Sequence, residues 1–244
     1  MHRFYADESR SSMDRAFLTP EDARHALTVL RLKAGDPVEV FWNFRRYEAR
    51  IAEITDGDVA LTPLIPLSSV EPALSITLFQ ALPKADKMDW IVQKAVELGV
   101  CRLVPVRMRR CVVRLEEKDI PRKTERWQRI AHEAGKQSGR SREMEVLPPQ
   151  PLSALRGLFD PLDCVMVPWE ECAHGGPLAF SRAHPDLTSL GIVIGPEGGI
   201  DSKEMDLLTA ASCVPVTLGP RILRTETASL AAVSAILALY GEME

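Results

Sequence analysis

The sequence predicts an α/β protein in which a small β-rich module precedes a larger domain built on a parallel sheet. Short strand-like segments bounded by turn residues occupy the first part of the chain. A Pro- and Ser-rich stretch without helical periodicity, residues 62–72, follows them. Beyond it, strand-like and helix-like segments alternate, which is typical of parallel α/β sheets. The predicted domains are therefore residues 1–70 and residues 73–244.

The first domain is predicted to be a small β-barrel with one helix. Thr19 is a suitable helix cap, Pro20 suits the first helical position, and acidic residues fill the first turn. This helix is expected to run to about Leu30. Apolar patterning predicts strands at 3–7, 37–42, 47–54 and 59–64, with turns at 33–36 and 56–57.

The second domain contains the alternating segments. Apolar runs predict strands at 74–82, 100–106, 164–168, 190–194 and 214–218. Periodic apolar positions predict helices at 89–98, 121–138 and 226–240, and Gly99 is placed to end the first of them. Asp201, with Glu204 three residues later, predicts a further helix that begins with a capping box.

The composition is typical of a soluble globular protein, with 45% hydrophobic and 26% charged residues among 244. No charge-free apolar stretch reaches about 18 residues, so no membrane span is expected. The N-terminus lacks the apolar region of a signal peptide. The five cysteines form no C-x-x-C pair, which indicates free thiols in a reducing cytoplasm and no zinc or other metal site.

Positive charge is concentrated in one part of an otherwise acidic chain. Between Arg102 and Arg142 there are thirteen Lys or Arg residues and five Asp or Glu residues, a local net charge of +8 in a chain of net charge −4. Such a segment is typical of a protein that binds a polyanion. The alternative is a solvated helix face with no partner.

Two strands that end in glycine-containing turns indicate one ligand pocket. Strand 190–194 is followed by Gly-Pro-Glu-Gly-Gly at 195–199, and strand 214–218 is followed by Gly219. The first turn has neither the spacing of a dinucleotide-binding loop nor the lysine of a phosphate-binding loop. It offers backbone N–H and C=O groups that suit an adenine edge or a ribose. The alternative is a simple turn that uses glycine for its backbone freedom.

The second turn leads into a helix start that carries Arg221, Arg224 and Glu226. Arginines at the beginning of a helix oppose the helix dipole, so their presence beside a glycine turn indicates function. The alternative is an ordinary helix start capped by Thr225 or Thr227.

These motifs closely resemble the RsmE family, bacterial 16S ribosomal RNA (uracil-N3)-methyltransferases of the SPOUT class. The strongest matches are residues 195–200 with Glu204, and residues 218–228. Further matches, in chain order, are HRFY at 2–5, HALTVLR at 25–31, KAGD at 33–36, Lys84, KMDW at 87–90, QK at 93–94, ELGV at 97–100 and QSGR at 137–140. The sequence departs from the family's usual pattern at 42–46 and 143–144, and it matches only loosely at 167–170.

The resemblance implies a C-terminal SPOUT α/β trefoil-knot domain and an N-terminal PUA-like β-barrel that docks RNA. It also implies a homodimer, S-adenosylmethionine as the cofactor, and 16S rRNA or the 30S subunit as the substrate, methylated at N3 of a uridine near the decoding region. The cofactor-binding residues expected on this basis are Trp169, Glu170, Ile194, Gly195, Pro196, Glu197, Gly198, Gly199, Leu218, Gly219, Ile222, Leu223 and Thr225.

Methylation at N3 requires loss of the imide proton and stabilisation of a uracil anion. Arg224 and, less directly, Arg221 are the expected anion-stabilising residues. Glu226 or Glu197 is the candidate proton acceptor, although each alternatively makes a helix-cap or loop hydrogen bond. The expected phosphate contacts are Arg3, Arg31, Lys33, Lys84, Arg107, Arg109, Arg110, Arg140 and Arg142.

Two other functions stay open at this point. One is a SPOUT methyltransferase that acts on another rRNA or tRNA nucleotide. The other is a non-catalytic RNA-binding protein of ribosome assembly. Mass spectrometry of rRNA from a deletion strain separates the three, because only the first function predicts loss of one methyl group from one 16S uridine.

Overall fold

The computed structural model describes residues 1–173 and 175–244, which divide into two compact units. The first comprises Met1–Glu71 with Gly135–Glu143, and the second comprises Pro72–Ala134 with Met144–Glu244. Each unit has its own hydrophobic core. The sequence analysis placed residues 135–143 in the second domain. The structure groups them with the first unit because Lys136 forms an ion pair with the buried Asp22.

The first unit is a curled five-stranded sheet. Its strands are β1 His2–Tyr5, β2 Ala16–Phe17, β3 Pro37–Trp42, β4 Arg45–Thr55 and β5 Asp58–Pro66. Their order is β1-β3-β4-β5-β2, and only the β1–β3 pair is parallel. A bridge between Ala6 and Leu18 joins the two edges of the sheet. The closure gives the predicted barrel-like domain, and β2 is a strand that the sequence analysis missed.

The helix of the first unit begins as predicted. The Thr19 hydroxyl accepts a hydrogen bond from the Asp22 N–H at 3.2 Å, and Pro20 occupies the first helical position. Helix α1 spans Pro20–Arg24 and continues as a π-helical segment, His25–Val29. The predicted linker is shorter than expected, because β5 continues to Pro66 and its last residues pair with β4.

The second unit confirms the predicted parallel sheet. Its strands are β6 Ser75–Ala81, β7 Arg102–Arg107, β8 Glu145–Val146, β9 Gln150–Pro151, β10 Cys164–Pro168, β11 Ser189–Ile194 and β12 Val214–Val216. The order is β12-β10-β11-β6-β7-β8, with β9 also paired to β7, and every pair is parallel. Strands β6 and β11 are buried along nearly their whole length, as expected for a sheet covered on both faces.

The helices of the second unit surround this sheet. They are α2 Lys87–Glu97, α3 Ile120–Ser138, α4 Arg156–Phe159, α5 Pro177–Ala183, α6 Ser202–Ala210 and α7 Thr225–Leu239. Helices α2, α3, α6 and α7 were predicted, and each predicted helix end lies within two residues of the observed one. The short helices α4 and α5 were not predicted. Within the described residues, no helix is long and apolar enough to cross a membrane.

The start of α6 corrects one detail of the sequence analysis. The Asp201 side chain caps the helix by accepting from the Lys203 N–H at 3.2 Å. Glu204 does not complete the predicted capping box. Its carboxylate is buried and accepts from the Arg109 N–H at 2.8 Å, because the 108–111 segment packs beside the helix start.

Candidate active site

A cavity of about 640 Å³ opens at the carboxyl ends of three neighbouring parallel strands, β10, β11 and β12. This is the position at which open α/β sheets bind ligands, and the volume is in the range of small-molecule sites. Its walls combine apolar side chains such as Ile194, Leu218 and Leu223 with the backbone of two glycine turns.

The first turn, residues 195–199, is packed so tightly that it needs its glycines. A Cβ on Gly195 would lie 2.7 Å from the Ile200 side chain. Gly199 has a φ of +74°, which disfavours other residues. The backbone of this turn therefore lies directly against its neighbours, and Gly195 and Gly199 line the cavity together with Pro196 and Glu197.

The second turn is connected to the first by a hydrogen bond. Thr217 accepts from the Gly219 N–H at 3.1 Å, which shapes the turn after β12. The chain then reaches α7, where the Thr225 hydroxyl donates to the Gly195 carbonyl at 2.7 Å. The two glycine motifs thus form one wall, although Gly195 and Gly219 are twenty-four positions apart in the sequence.

Lys87 joins the two glutamates that the sequence analysis considered as proton acceptors. Its ammonium lies 3.3 Å from Glu197 and 3.0 Å from Glu226. The hydrogen bond to Glu226, with the one to Glu197, raises the pKa of Lys87. Partial burial alone would raise the pKa of Glu197, but hydrogen bonds from the Lys84 N–H and from Lys87 outweigh it and lower that pKa. These contacts favour the loop hydrogen-bonding role for Glu197, whereas Glu226, in α7, contacts Lys87 through an ion pair.

Arginines and one exposed isoleucine form the rim. Arg221, Ile222 and Arg224 line the cavity and are exposed, with Ile222 at 90%. Arg224 is the N-cap residue of α7, and its side chain makes no capping bond. The sequence analysis proposed Thr225 or Thr227 as the cap. Instead, Thr225 is the first helical residue and its hydroxyl is directed to Gly195.

The structure brings most of the expected cofactor residues together. Twelve of the thirteen line the cavity, the exception being Gly198. The Gly198 carbonyl instead accepts from the Arg110 guanidinium at 3.1 Å. Of the expected catalytic residues, Arg221, Arg224 and Glu197 line the cavity, whereas Glu226 does not. The sequence analysis did not name seven further lining residues: Pro168, Cys172, Ala173, Ile200, Thr217, Pro220 and Ala228.

Comparison with known proteins connects this cavity to a family. A model described as an RNA methyltransferase domain matches residues 70–237, and one described as an RNA methyltransferase PUA domain matches residues 18–64. Ribosomal RNA small subunit methyltransferase E of Bacillus subtilis is 35% identical, covering 97% of this chain and 96% of the relative. The Aquifex aeolicus protein of the same name is 30% identical over 97% of this chain and 99% of its own. The chain belongs to the RsmE family.

A solved RsmE structure has the same fold. The crystal structure of ribosomal RNA small subunit methyltransferase E from Neisseria gonorrhoeae, bound to S-adenosyl methionine, superposes with a TM-score of 0.81. It is 31% identical, and the match covers 98% of each chain. The family match therefore includes both units of the present structure.

The basic residues that the resemblance to RsmE proteins assigned to RNA fall into two groups. Six are exposed: Arg31, Lys33, Lys84, Arg109, Arg110 and Arg142. Arg109 and Arg110 lie beside the cavity, since the Arg109 N–H binds Glu204 and the Arg110 side chain binds the Gly198 carbonyl. Both side chains also pair with Asp201, at 3.5 Å and 3.8 Å, but they remain about half exposed, which leaves them accessible to a phosphate.

The other three basic residues are engaged within the protein. The Arg140 side chain is 3% exposed and forms an ion pair with Glu71 at 2.6 Å. Arg3 contacts Glu39 at 3.1 Å and donates to the Gln137 carbonyl at the end of α3. Arg107 pairs with Glu117 at 2.6 Å. These contacts favour a structural role for Arg140, which is buried within the first unit, and they hold the partly exposed Arg3 against two neighbours of the same unit.

Proposed function

We propose that this protein transfers a methyl group from S-adenosylmethionine to N3 of a uridine in the decoding region of 16S ribosomal RNA. The observation that carries the proposal is the position of Arg221 and Arg224 on the rim of a cavity walled by the two glycine motifs, in a chain of the RsmE family. The proposed roles of individual residues follow from their placement around this cavity.

The cavity suits the proposed cofactor. Its apolar side chains offer contact to an adenine ring, and the backbone groups of the 195–199 turn offer hydrogen bonds to its edge or to a ribose. The crowding around Gly195 and Gly199 keeps this wall in one shape. When bound, S-adenosylmethionine supplies an activated methyl group on its sulfonium.

The residues on the rim suit the charge that the reaction creates. Removal of the N3 proton leaves negative charge on the uracil oxygens, and a fixed positive group near them lowers the barrier. Arg224 is proposed to provide it, and the N-terminus of α7, which Arg224 precedes, contributes partial positive charge of the same sign. Arg221 adds a second guanidinium to the same rim.

The exposed cations near the cavity are proposed to hold the RNA backbone. Arg109 and Arg110 flank the 195–199 turn, and Lys84 precedes α2 on the same side as Glu197, which accepts its N–H. Phosphate contacts of this kind fix the position of the substrate and do not read its sequence. Because N3 is paired inside a duplex, the target base is proposed to be unpaired or flipped out when it enters the cavity.

Three further features are proposed on the basis of family membership. A trefoil knot between about residues 195 and 227 is supported by the direct contact of Thr225 with Gly195. A homodimer is supported by the apolar surface of α7, on which Leu239 is 39% exposed. A cytoplasmic location is supported by the ribosomal substrate and by five free cysteines.

The proposal is tested with 30S subunits from a strain that lacks the modification. We expect the wild-type protein to transfer one tritiated methyl group per subunit, located at one uridine by mass spectrometry. Arg224→Ala is expected to bind S-adenosylmethionine but to lose about 100-fold or more in methyl transfer, as for loss of one oxyanion-stabilising donor. Arg156→Ala is the matched control, because Arg156 is exposed on α4 and does not line the cavity.

Methylation of another nucleotide by the wild-type protein would contradict the proposed substrate. Full activity of Arg224→Ala would remove Arg224 from the mechanism while leaving the assignment of the substrate intact.

A further inference from the structure

A cluster of buried polar side chains lies directly behind the cavity wall. Gln80 and Ser229 are fully buried, and Thr225 is 4% exposed. Burying uncharged polar groups costs free energy unless each one finds a hydrogen-bond partner. A cluster in this position therefore requires a specific set of partners.

The hydrogen bonds of the cluster determine one another. The Gln80 side-chain amide donates to the Ala81 carbonyl and to the Thr225 hydroxyl oxygen, both at 2.9 Å. Both amide hydrogens are thus used, and the amide oxygen faces Ser229, whose hydroxyl donates to it. Rotating the amide by 180° would set its oxygen against the Ala81 carbonyl, which is also an acceptor, so the orientation is fixed.

The orientation of Gln80 fixes that of Thr225. A hydroxyl has a single proton, and the Thr225 oxygen already accepts from Gln80. Its proton is therefore directed to the Gly195 carbonyl, 2.7 Å away. The Ser229 hydroxyl has one proton too, which is shared between the Gln80 oxygen and the Thr225 carbonyl, 2.8 Å away and one turn earlier in α7.

The cluster joins three separate parts of the chain: the end of β6, the residue after β11 and the first turn of α7. Thr225 and Gly195 line the cavity, whereas Gln80 and Ser229 do not. We propose that Gln80 and Ser229 are positioning residues for the cofactor site, acting through Thr225 to hold the Gly195 backbone in its binding shape. This inference rests on the proposed function in taking S-adenosylmethionine as the occupant of the cavity.

A purely structural role is the competing explanation, and a set of apolar replacements of similar size separates the two. Gln80→Leu, Thr225→Val or Ser229→Ala alone leaves a buried partner unsatisfied, so each lowers the melting temperature. The triple variant removes all three polar side chains together and is expected to recover much of that loss. If the cluster positions the Gly195 carbonyl, the triple variant still binds the cofactor poorly, because nothing replaces the donor from Thr225.

The experiment is isothermal titration calorimetry of the full chain with S-adenosylmethionine, with melting temperature measured in parallel. Thr225→Ser keeps the hydroxyl and is expected to bind within about threefold of wild type, whereas Thr225→Val is expected to bind about tenfold more weakly, as for loss of one hydrogen bond. Gln80→Leu is expected to weaken binding by a similar factor. The triple variant is expected to combine partly restored melting temperature with weak binding.

Two results would overturn the inference while wild-type binding remains intact. One is equal affinity of Thr225→Val and Thr225→Ser. The other is a triple variant in which affinity returns together with melting temperature. A wild-type protein that binds no S-adenosylmethionine would instead contradict the proposed function, and the inference with it.

Discussion

Lys87 decides what the two glutamates near the cavity can do. Its ammonium lies between the carboxylates of Glu197 and Glu226, and the Lys84 N–H also donates to Glu197. A carboxylate with a lowered pKa is a weak base, so Glu197 is poorly suited to remove the N3 proton. The same contacts suit it to hold the 195–199 turn against the start of α2.

We expect Glu197→Gln to lower methyl transfer without changing the shape of its pH dependence. The lowered pKa keeps Glu197 ionised at neutral pH and above, so its titration lies below the range in which the uracil proton is lost. The glutamine oxygen still accepts from the Lys84 N–H, which limits the loss of activity. The measurement is the rate with 30S subunits between pH 6 and 9, with Glu171→Gln as an exposed control.

If Glu197 is instead the general base, Glu197→Gln gives a different result. Loss of such a base typically costs about 100- to 10,000-fold and removes the corresponding limb of the pH profile. That outcome would return Glu197 to the role of proton acceptor.

At the scale of elements, residues 135–143 are held by buried ion pairs. Asp22 is fully buried, accepts from the Tyr5 N–H at 2.7 Å and pairs with Lys136 at 2.9 Å. Glu71 pairs with Arg140 and also accepts from the Ser141 N–H at 2.8 Å. The end of α3 and the turn after it are therefore an integral part of the first unit.

We expect Lys136→Met to lower the free energy of unfolding by about 3–5 kcal/mol, because it leaves the Asp22 charge buried without its cation. Adding Asp22→Asn should recover part of this loss, since the double variant buries no charge. Lys33→Met is the control and should change stability by less than about 0.5 kcal/mol, because Lys33 is exposed. Urea denaturation followed by circular dichroism measures all three, and a small effect of Lys136→Met would mean that Asp22 does not depend on this partner.

The elements that the sequence predicted and those that it missed differ in their physical signal. Strand β10 was predicted with its observed bounds, and helix α3 to within one residue, because each has a long apolar run or a clear periodicity. Strands β2, β8 and β9 have two residues each, and no period can be detected in so short a segment. Their pairing is decided by distant partners.

In the candidate site, too, the sequence did not predict features that depend on partners distant along the chain. The glycine turns and the arginines were found because their chemistry is concentrated in two short motifs. Gln80 and Lys87 were not assigned to the site, because their partners Thr225 and Glu226 lie more than a hundred residues away in the sequence. The local charge of Arg140 predicted RNA binding, whereas its burial against Glu71 depends on a contact that the sequence does not reveal.

For the molecule as a whole, binding of the proposed cofactor and binding of the proposed RNA are expected to differ in their dependence on salt. Most of the cofactor wall consists of apolar side chains and backbone groups, whose contacts depend little on salt, although Glu170 and Glu197 also line it. The proposed RNA contacts are exposed cations in a chain of net charge −4, so their attraction is local and is screened at the Debye length, about 8 Å at physiological ionic strength. The affinities for the two ligands can therefore be separated by varying the salt concentration.

Helix α7 carries the argument for a homodimer. From Ala228 to Leu239 its only polar residues are Ser229 and Ser234, so it is apolar on almost every side. Such a helix is normally buried all round. Here Leu239 and, on α5, Leu178 remain 39% and 50% exposed beside a hollow of about 460 Å³. A second copy that covers this surface would complete the burial.

We expect Leu178→Asp to convert the proposed homodimer to a folded monomer at micromolar concentration. Leu178 is the second residue of α5, where an acidic side chain is favourable to the helix dipole, so the folded chain loses little. A charge placed in an apolar interface must be desolvated when two copies associate, and this cost opposes dimerisation. Size-exclusion chromatography with light scattering measures the change, and Val29→Asp is the control because Val29 is equally apolar and 65% exposed on the first unit. If Leu178→Asp stays dimeric while Val29→Asp dissociates, the interface lies on the first unit and the apolar surface of α7 needs another explanation.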